Sequence, residues 1–345
     1  MTSALVALLV GQAATVPASA SSESLDPCSW ESHCYATLRW YHDDVSGAEV
    51  ELGAYVMDIV GPGPHFETSE VWIGFDGSPI SWVEAGVIHG VDTYCGGVNY
   101  FSAASYPAIG FEFRCLGSAP LNTSVVLRAE EGASGTWSWT LDGAALTTWL
   151  NAPTSTNFLE VGNEYTRDDV QSIMAGSNLK YRTATGGVWT NGWSATGWPA
   201  PAANPSGWPC YTLWQTNPTH MRALCNTISL TGAQAGPTGR QSATDPLARA
   251  QRIATSYGVT NPTQVRSVTA RGADVAATLQ TDLPEERAVT VVQMSGDFTA
   301  TSAPRPQGAS APSGKVLTMV FDQLTGDLRM LRLSPDGAPA LEALS

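Results

Sequence analysis

From residue 35 to residue 170 the chain runs through nine short stretches rich in Val, Tyr, Trp, Phe and Thr, each bounded by Gly, Pro, Asn or Asp, with almost no helical periodicity. This spacing predicts strands at Tyr35–His42, Glu51–Ile59, Glu70–Phe75, Ile80–Ile88, Asn99–Ser105, Phe111–Cys115, Ser124–Glu130, Thr136–Leu141 and Phe158–Val161. Strands this short and close bury their apolar faces by antiparallel pairing, so the expected fold is mainly β: an antiparallel β-sandwich or jelly roll of the concanavalin-like kind. From Ser177 to Ser229, Trp189, Trp193, Trp198 and Trp208 stand among Gly and Pro. That stretch predicts a last strand or two and a long covering loop.

The tail reads differently. Thr244 or Asp245 can cap a helix, Pro246 suits its first turn and Gly258 can end it, which predicts a helix over Pro246–Tyr257. Strand-like runs come next at Val265–Thr269, Ala288–Met294 and Lys315–Leu333. The last is folded back at Asp322-Gln-Leu-Thr-Gly-Asp327, where glycine suits a hairpin loop. A small α+β domain is the expectation, with a Ser/Pro/Gly insertion, Thr299 to Gly314, too polar and proline-rich to pack and therefore mobile.

Composition marks the boundary between these parts. All 12 tryptophans lie at or before Trp214 and all 6 cysteines at or before Cys225. Up to residue 239 there are 21 acidic against 7 basic residues, and beyond it 10 against 10, so the net charge of -14 sits on the first part. The division is placed at residues 1–20 for a signal peptide, 21–235 for the sandwich, 236–244 for a linker and 245–345 for the α+β domain. A chain ending near Gly236 is expected to keep whatever activity the sandwich has. An acidic, aromatic domain repels phosphate backbones, which excludes nucleic acid and anionic membrane as partners.

The apolar run Ala4 to Val10 followed by Ala18-Ser19-Ala20 has the pattern of a cleaved export signal, although Met1-Thr2-Ser3 lacks the usual Lys or Arg. Nothing later approaches the roughly 18 apolar residues a membrane helix needs. The expectation is a secreted protein that works as a monomer, with no membrane association after signal cleavage. In an oxidising compartment the cysteines pair, and loop length favours Cys28 with Cys34, Cys95 with Cys115 and Cys210 with Cys225. A thiolate metal site is disfavoured because there is no Cys-x-x-Cys and the 5 histidines are scattered. No cofactor or metal is expected. His42-Asp43-Asp44 and Asp168-Asp169 carry oxygen ligands that calcium could use, but read as solvated turns.

The chemistry concentrates between Glu70 and Ile88. Period-2 alternation puts Trp72, Gly74 and Asp76 on one strand face, and Trp82, Glu84 and Gly86 on one face of the next. A carboxylate thus shares a face with tryptophans, and glycines there let a backbone or ligand approach. These residues make a binding cleft, although Trp72 and Trp82 taken alone read as packing and Asp76 as part of an Asp-Gly-Ser-Pro turn.

Glu-Val-Trp72-Ile-Gly74-Phe-Asp76-Gly followed by Trp-Val-Glu84-Ala-Gly86-Val resembles the paired strands of the eqolisin-type glutamic peptidases, whose pattern is Trp-Val-Gly-Ile-Asp-Gly and then Leu-Gln-Thr-Gly-Val. Phe-Glu112-Phe falls where that family has Tyr-Glu-Trp-Tyr. Phe-Leu-Glu160-Val-Gly-Asn-Glu164 falls where it has Glu-Trp-Ile-Val-Glu. The resemblance covers roughly residues 35 to 170. It implies an exported acid endopeptidase in which Glu160 is the general base on a water and later protonates the leaving amine, with Glu84 as its catalytic partner. It also places Trp72, Asp76, Trp82, Glu112 and Glu164 around a polypeptide substrate. The sequence departs from the eqolisin pattern at Glu84, where that family has glutamine, and at Ile88, where it has a supporting aspartate. A protonated Glu84 can still donate to a carbonyl, because neighbouring carboxylates share a proton. The more distant neprosin-type peptidases are likewise assigned two glutamates. The tail is similar to PepSY modules, which implies a role in restraining or chaperoning the sandwich.

A second reading from another class is a non-catalytic sandwich that binds polysaccharide through exposed tryptophans. A third is a peptidase-like domain serving adhesion. Neither serine nucleophile elbow, His-Glu-x-x-His, P-loop nor dinucleotide fingerprint occurs, which disfavours those reactions.

Overall fold

The structure is a computed structural model describing residues 33–58, 65–77, 79–90, 94–166, 171–193, 210–214, 219–225, 245–283, 286–335 and 341–344. The signal-peptide and linker segments, Cys28, Asp168-Asp169, Trp198 and Trp208 lie outside the described residues.

Among the described residues, fourteen strands precede the tail. They are β1 (Cys34–Tyr41), β2 (Gly47–Asp58), β3 (Phe66–Phe75), β4 (Ser81–Gly90), β5 (Gly97–Tyr106), β6 (Gly110–Ser118) and β7 (Thr123–Glu131). After these come β8 (Trp137–Leu141), β9 (Ala144–Trp149), β10 (Thr156–Tyr165), β11 (Gln171–Arg182), β12 (Thr190–Asn191), β13 (Cys210–Trp214) and β14 (Met221–Cys225). The tail adds α1 (Pro246–Ser256), β15 (Thr263–Arg271), α2 (Gly272–Leu279), β16 (Ala288–Thr299), β17 (Ser313–Asp322) and β18 (Leu328–Ser334).

Two antiparallel sheets stack as a sandwich, confirming the expected class. One has ten strands in the order β1-β10-β3-β4-β5-β6-β18-β17-β16-β15, the other the order β13-β14-β11-β2-β7-β8-β9 with β12 beside β11. Alternation sends Leu38, Val71, Ile73, Val83, Ala85 and Val161 into the space between the sheets, where they meet Trp137, Trp139, Trp149 and Trp193. The nine predicted strands all form, most extended by a residue or more at their ends. Strands β9 and β11 were not legible. Residues 171–182 contain few β-branched side chains, and this segment is extended because β2 and β14 pair with its two edges.

The composition boundary is not a boundary in the sheet. β18 pairs with β6, Met330 opposite Arg114 through Leu333 opposite Phe111, so the tail continues the larger sheet. Helix α1, capped by Asp245 accepting from the Leu247 N–H at 3.0 Å, lies on that sheet's outer face. There Ala250, Ile253 and Ala254 join Phe66, Trp72, Trp82, Phe101, Phe113, Met294 and Leu317 in a second core. This shared core weighs against the expectation that a chain ending near Gly236 keeps whatever activity the sandwich has, since removing the tail bares that apolar face. Helix α2, eight residues with no side-chain cap, escaped prediction. It is held by Val275 and Leu279 against Val289, Val291, Val320 and Met330 on the tail's other face.

The insertion expected to be mobile is packed. Ala300, Ala303 and Ala309 belong to the second core, and Arg305 and Gln307 are 1% and 2% exposed. Pro304 and Pro306 lack an N–H, so an extended proline-bordered segment has few donors to satisfy when it docks on a sheet face.

Of the expected disulfides, Cys95–Cys115 is formed. Cys34 is disulfide-bonded, and Cys210 stands opposite Cys225 in the β13–β14 register. No helix among the described residues is long and apolar enough to cross a membrane.

Candidate active site on the covered sheet face

Glu84, Trp72, Glu160 and Arg39 form one row across β4, β3, β10 and β1, each directly opposite the next. Parity keeps all four on the outer face. Glu84 and Glu160 are therefore two strand spacings apart, about 10 Å between Cα atoms. Ala103 of β5 faces Glu84 from the other side and adds no bulk. Along the same face lie Glu70, Glu164, Thr37 and Tyr35. Glu70, Glu84, Glu160, Glu164 and Trp72 are all 0% exposed, and Trp82 is 1% exposed.

The four carboxyls are held in different ways. Glu160 accepts from Arg39 Nε at 2.9 Å and Arg39 Nη2 at 2.5 Å, and from the Thr37 hydroxyl. Burial works against the Arg39 charge, yet facing Glu160 raises its pKa further. The Arg39 guanidinium also lies 4.0 Å from the centre of the Phe158 ring. Glu164 accepts from the Arg305 backbone N–H at 2.9 Å and the Tyr35 hydroxyl at 3.1 Å, and its Oε1 contacts His33 Nδ1. Burial, and then the Glu164 charge, push the Tyr35 hydroxyl well above its usual value.

Glu84 has no such partners. Neither carboxyl oxygen makes a hydrogen bond of normal geometry, and the indole N–H groups of Trp72 and Trp82 are likewise unpaired. Burial and the charge of Glu164, followed by that of Glu160, push Glu84 well above the usual carboxylate range. The indoles of Trp72 and Trp82, turned toward the carboxyl, act in the opposite sense, each more strongly than Glu160 does. Glu70 is raised for the same reasons, burial first and then Glu84 and Glu164, with only the Thr68 hydroxyl donating to it. The face thus holds protonated carboxyls beside ones engaged by cations and donors, the separation of environments that general acid–base pairs require.

The two strand glycines do not make room for a ligand. A Cβ at Gly86 would meet the Ser69 carbonyl at 2.2 Å and Glu70 Cα at 2.6 Å, and one at Gly74 would meet the Phe158 ring at 2.0 Å. They let β3 and Phe158 close in. Ile88 packs in the second core at 0% exposure, leaving Glu84 without a supporting carboxylate from that position.

Of the predicted site residues, Trp72, Trp82, Glu84, Glu160 and Glu164 come together. Asp76 does not: it is exposed at the end of β3, where it accepts from the Ser155 hydroxyl. Glu112 is on the opposite face of the sheet. It is opposite Ala104, which points between the sheets, while Ala103 shares the face of Glu84. Although burial works against its charge, Arg114 and Arg332 keep Glu112 below the usual carboxylate range. Their Nε atoms donate to it at 2.7 and 2.6 Å. It lines an open pocket of about 360 Å³ with Arg114, Trp149 and Arg332, across the sheet from the Glu84 side chain. His42-Asp43-Asp44 forms the turn after β1.

Sequence reasoning missed Arg39, Thr37, Tyr35 and Glu70. Alternation in Cys34-Tyr-Ala-Thr-Leu-Arg-Trp-Tyr41 already put Tyr35, Thr37 and Arg39 on one face, and extending the Trp72 face by two residues reaches Glu70. What the alternation lacks is the pairing of β1 with β10.

No family model and no curated protein matches the chain. Among solved structures it is similar to scytalido-glutamic peptidase bound to a peptide-based transition-state analogue, with 12% identity, a TM-score of 0.38 and coverage of 55% of this chain and 97% of that one. SCP-B, a member of the eqolisin family, gives 10% identity, a TM-score of 0.33 and the same coverage. The alginate lyase AlyC3 gives 10% identity and a TM-score of 0.30 over 42% of this chain and 64% of that one. At these values neither activity nor site can be taken from the likeness, and the fold rests on the pairing of the strands themselves.

Proposed function

We propose that this chain is an exported, acid-acting peptidase of glutamic type, in which Glu160 activates a water and protonated Glu84 polarises the peptide carbonyl. The observation that carries the reading is the row Glu84–Trp72–Glu160–Arg39, with one carboxyl driven protonated by burial and the other engaged by a guanidinium. Glu160 takes a proton from the water as its oxygen attacks the carbonyl carbon, and Glu84 donates to the developing oxyanion. As the C–N bond breaks, Glu160 returns that proton to the leaving nitrogen and Glu84 keeps its own. Glu164 is a stronger electrostatic neighbour of Glu84 than Glu160 is, so the assignment of the base needs a test that separates the two.

Denatured casein incubated from pH 3 to 7 with wild type, Glu160→Gln and Glu164→Gln makes that separation. Cleavage confined to acid and lost in Glu160→Gln is expected, whereas cleavage surviving in Glu160→Gln but lost in Glu164→Gln transfers the role of base. No cleavage by wild type, nor by a chain nicked between Gln307 and β17, overturns the peptidase reading. The polysaccharide-binding alternative requires exposed tryptophans, and no tryptophan among the described side chains is exposed.

A further inference from the structure

The outer sheet face is closed by a segment of the chain itself, and the contacts of that segment are those of a bound peptide. Between Thr301 and Gln307, five backbone groups are taken by side chains of the site or beside it. The Thr301 carbonyl meets His33 Nε2 at 2.5 Å. The Ser302 carbonyl accepts from Tyr94 at 2.8 Å. The Arg305 N–H donates to Glu164 at 2.9 Å and its carbonyl accepts from Tyr35 at 3.0 Å. The Gln307 carbonyl accepts from Arg39 at 2.6 Å. Arg39 and Glu164 therefore serve the segment and the candidate catalytic cluster at once.

A loop that merely joined two strands would satisfy its backbone by turns or with water; here turns take the Thr301, Ala303 and Ala309 N–H groups, which donate to the Thr299, Ala300 and Pro306 carbonyls. The five contacts above go instead to side chains. This segment gives four carbonyls to a His, two Tyr and an Arg, and the Arg305 N–H to a buried carboxylate. It also carries a cation, Arg305, 1% exposed, onto a face holding four buried glutamates. Pro304 and Pro306, on either side of Arg305, restrict the backbone there, which lowers the ordering cost of docking.

We propose that the Glu70/Glu84/Glu160/Glu164 face is a polypeptide-binding groove that takes an extended segment with a basic side chain beside Glu164, and that residues 301–307 occupy it in cis as a tethered competitor. The proposal rests on the peptidase reading only for the fate of a peptide once bound; the groove and its occupant stand on the contacts of residues 301–307. Tethering places the segment at an effective concentration of about millimolar, so a free peptide of equal intrinsic affinity cannot displace it from the intact chain.

The test uses the full chain with a site-specific protease recognition sequence inserted at exposed Ser310, nicked after purification, beside the intact chain and an uncut Arg305→Ala variant. The probe is a labelled synthetic peptide spanning Ala300 to Ala309. It is expected to bind the nicked chain saturably and the intact chain at least tenfold more weakly, and replacing its arginine with glutamate should weaken binding at least tenfold. Casein hydrolysis in acid should rise at least tenfold on nicking and in Arg305→Ala, and the peptide should inhibit it. Equal hydrolysis by intact and nicked chains, with no peptide binding, overturns the proposal and leaves the peptidase reading standing. Peptide binding to the nicked chain without hydrolysis at any pH keeps the groove and overturns the peptidase reading. Binding of the arginine and glutamate peptides with equal affinity overturns the basic specificity. If the nicked chain loses its cooperative unfolding transition, Arg305→Ala carries the comparison alone.

Discussion

Glu84→Gln isolates the energetic consequence of burying an unpartnered carboxyl. In the folded chain Glu84 is protonated well beyond the range in which a free glutamate ionises, because burial and then the charges of Glu164 and Glu160 oppose its charge. Below the unfolded value, about 4.3, both states are protonated and the group contributes no pH dependence. Above it the unfolded chain releases a proton that the folded chain retains, so stability falls by about 1.4 kcal/mol per pH unit until Glu84 itself ionises. Glutamine has nearly the same shape and no such dependence. Urea unfolding followed by tryptophan fluorescence at pH 4, 5, 6 and 7 should therefore show the variant within about 1 kcal/mol of wild type at pH 4 and progressively more stable above it, by at most about 1.4 kcal/mol for each unit and levelling off where Glu84 itself ionises. Glu49 and Glu112, held low by their cations, and Asp322, held low by the Thr325 N–H and then by Arg287 and Arg329, weaken the fold as pH falls. They are present in both chains and cancel in the difference. A pH-independent difference, or wild type gaining on the variant as pH rises, would refute the argument that Glu84 is buried as an acid. In the peptidase reading the same variant supplies the residue of the eqolisin pattern, so acid activity should persist with a shifted pH profile.

Arg39→Met should destabilise the fold by about 3–5 kcal/mol in chemical unfolding, because it strands the Glu160 carboxylate at 0% exposure, and Glu160→Gln in that background should recover part of the loss. Gly86→Ala drives a Cβ to 2.2 Å from the Ser69 carbonyl, a backbone atom that cannot swing away. A loss of about 1–3 kcal/mol is expected, and an unchanged unfolding midpoint would contradict the close approach of β3 and β4. Replacing Cys95 and Cys115 by serine opens a loop of 20 residues, with an expected loss of about 3 kcal/mol measured against the oxidised chain. A chain ending at Gly236 should bind a hydrophobic dye and aggregate, since α1 and β16–β18 no longer cover Phe66, Phe101 and Phe113; a soluble, cooperatively folding fragment would show the tail to be dispensable.

The alternation of apolar residues between turn formers was enough to place nine strands and to put Trp82 and Glu84 on one face of β4 and Trp72 and Gly74 on one face of β3, because side-chain direction in a strand is set by sequence parity alone. The same parity holds for Glu160 and Glu164, and for the unnoticed row Tyr35, Thr37 and Arg39. Local signals also fixed α1, through Asp245 and Pro246, and the hairpin after Asp322, whose Oδ1 accepts from the Leu324 and Thr325 N–H groups at 3.0 and 3.1 Å. None of these requires a distant partner.

Partner choice was the part that the sequence left open. Which strands become neighbours is decided by the burial of whole faces, and only that pairing turns separated glutamates into a row beside Arg39. Glu112 shows the converse: its motif resembled a substrate-contacting one, but register put it between Arg114 and Arg332 on the opposite face. The composition break at residue 239 is real in charge and in tryptophan content, yet β6 and β18 pair across it, since backbone hydrogen bonds are indifferent to side-chain composition. The proline-rich segment was misread for a related reason. Polarity and proline forecast whether a segment can build a core of its own, whereas residues 301–307 are ordered by donors and a carboxylate that other strands supply.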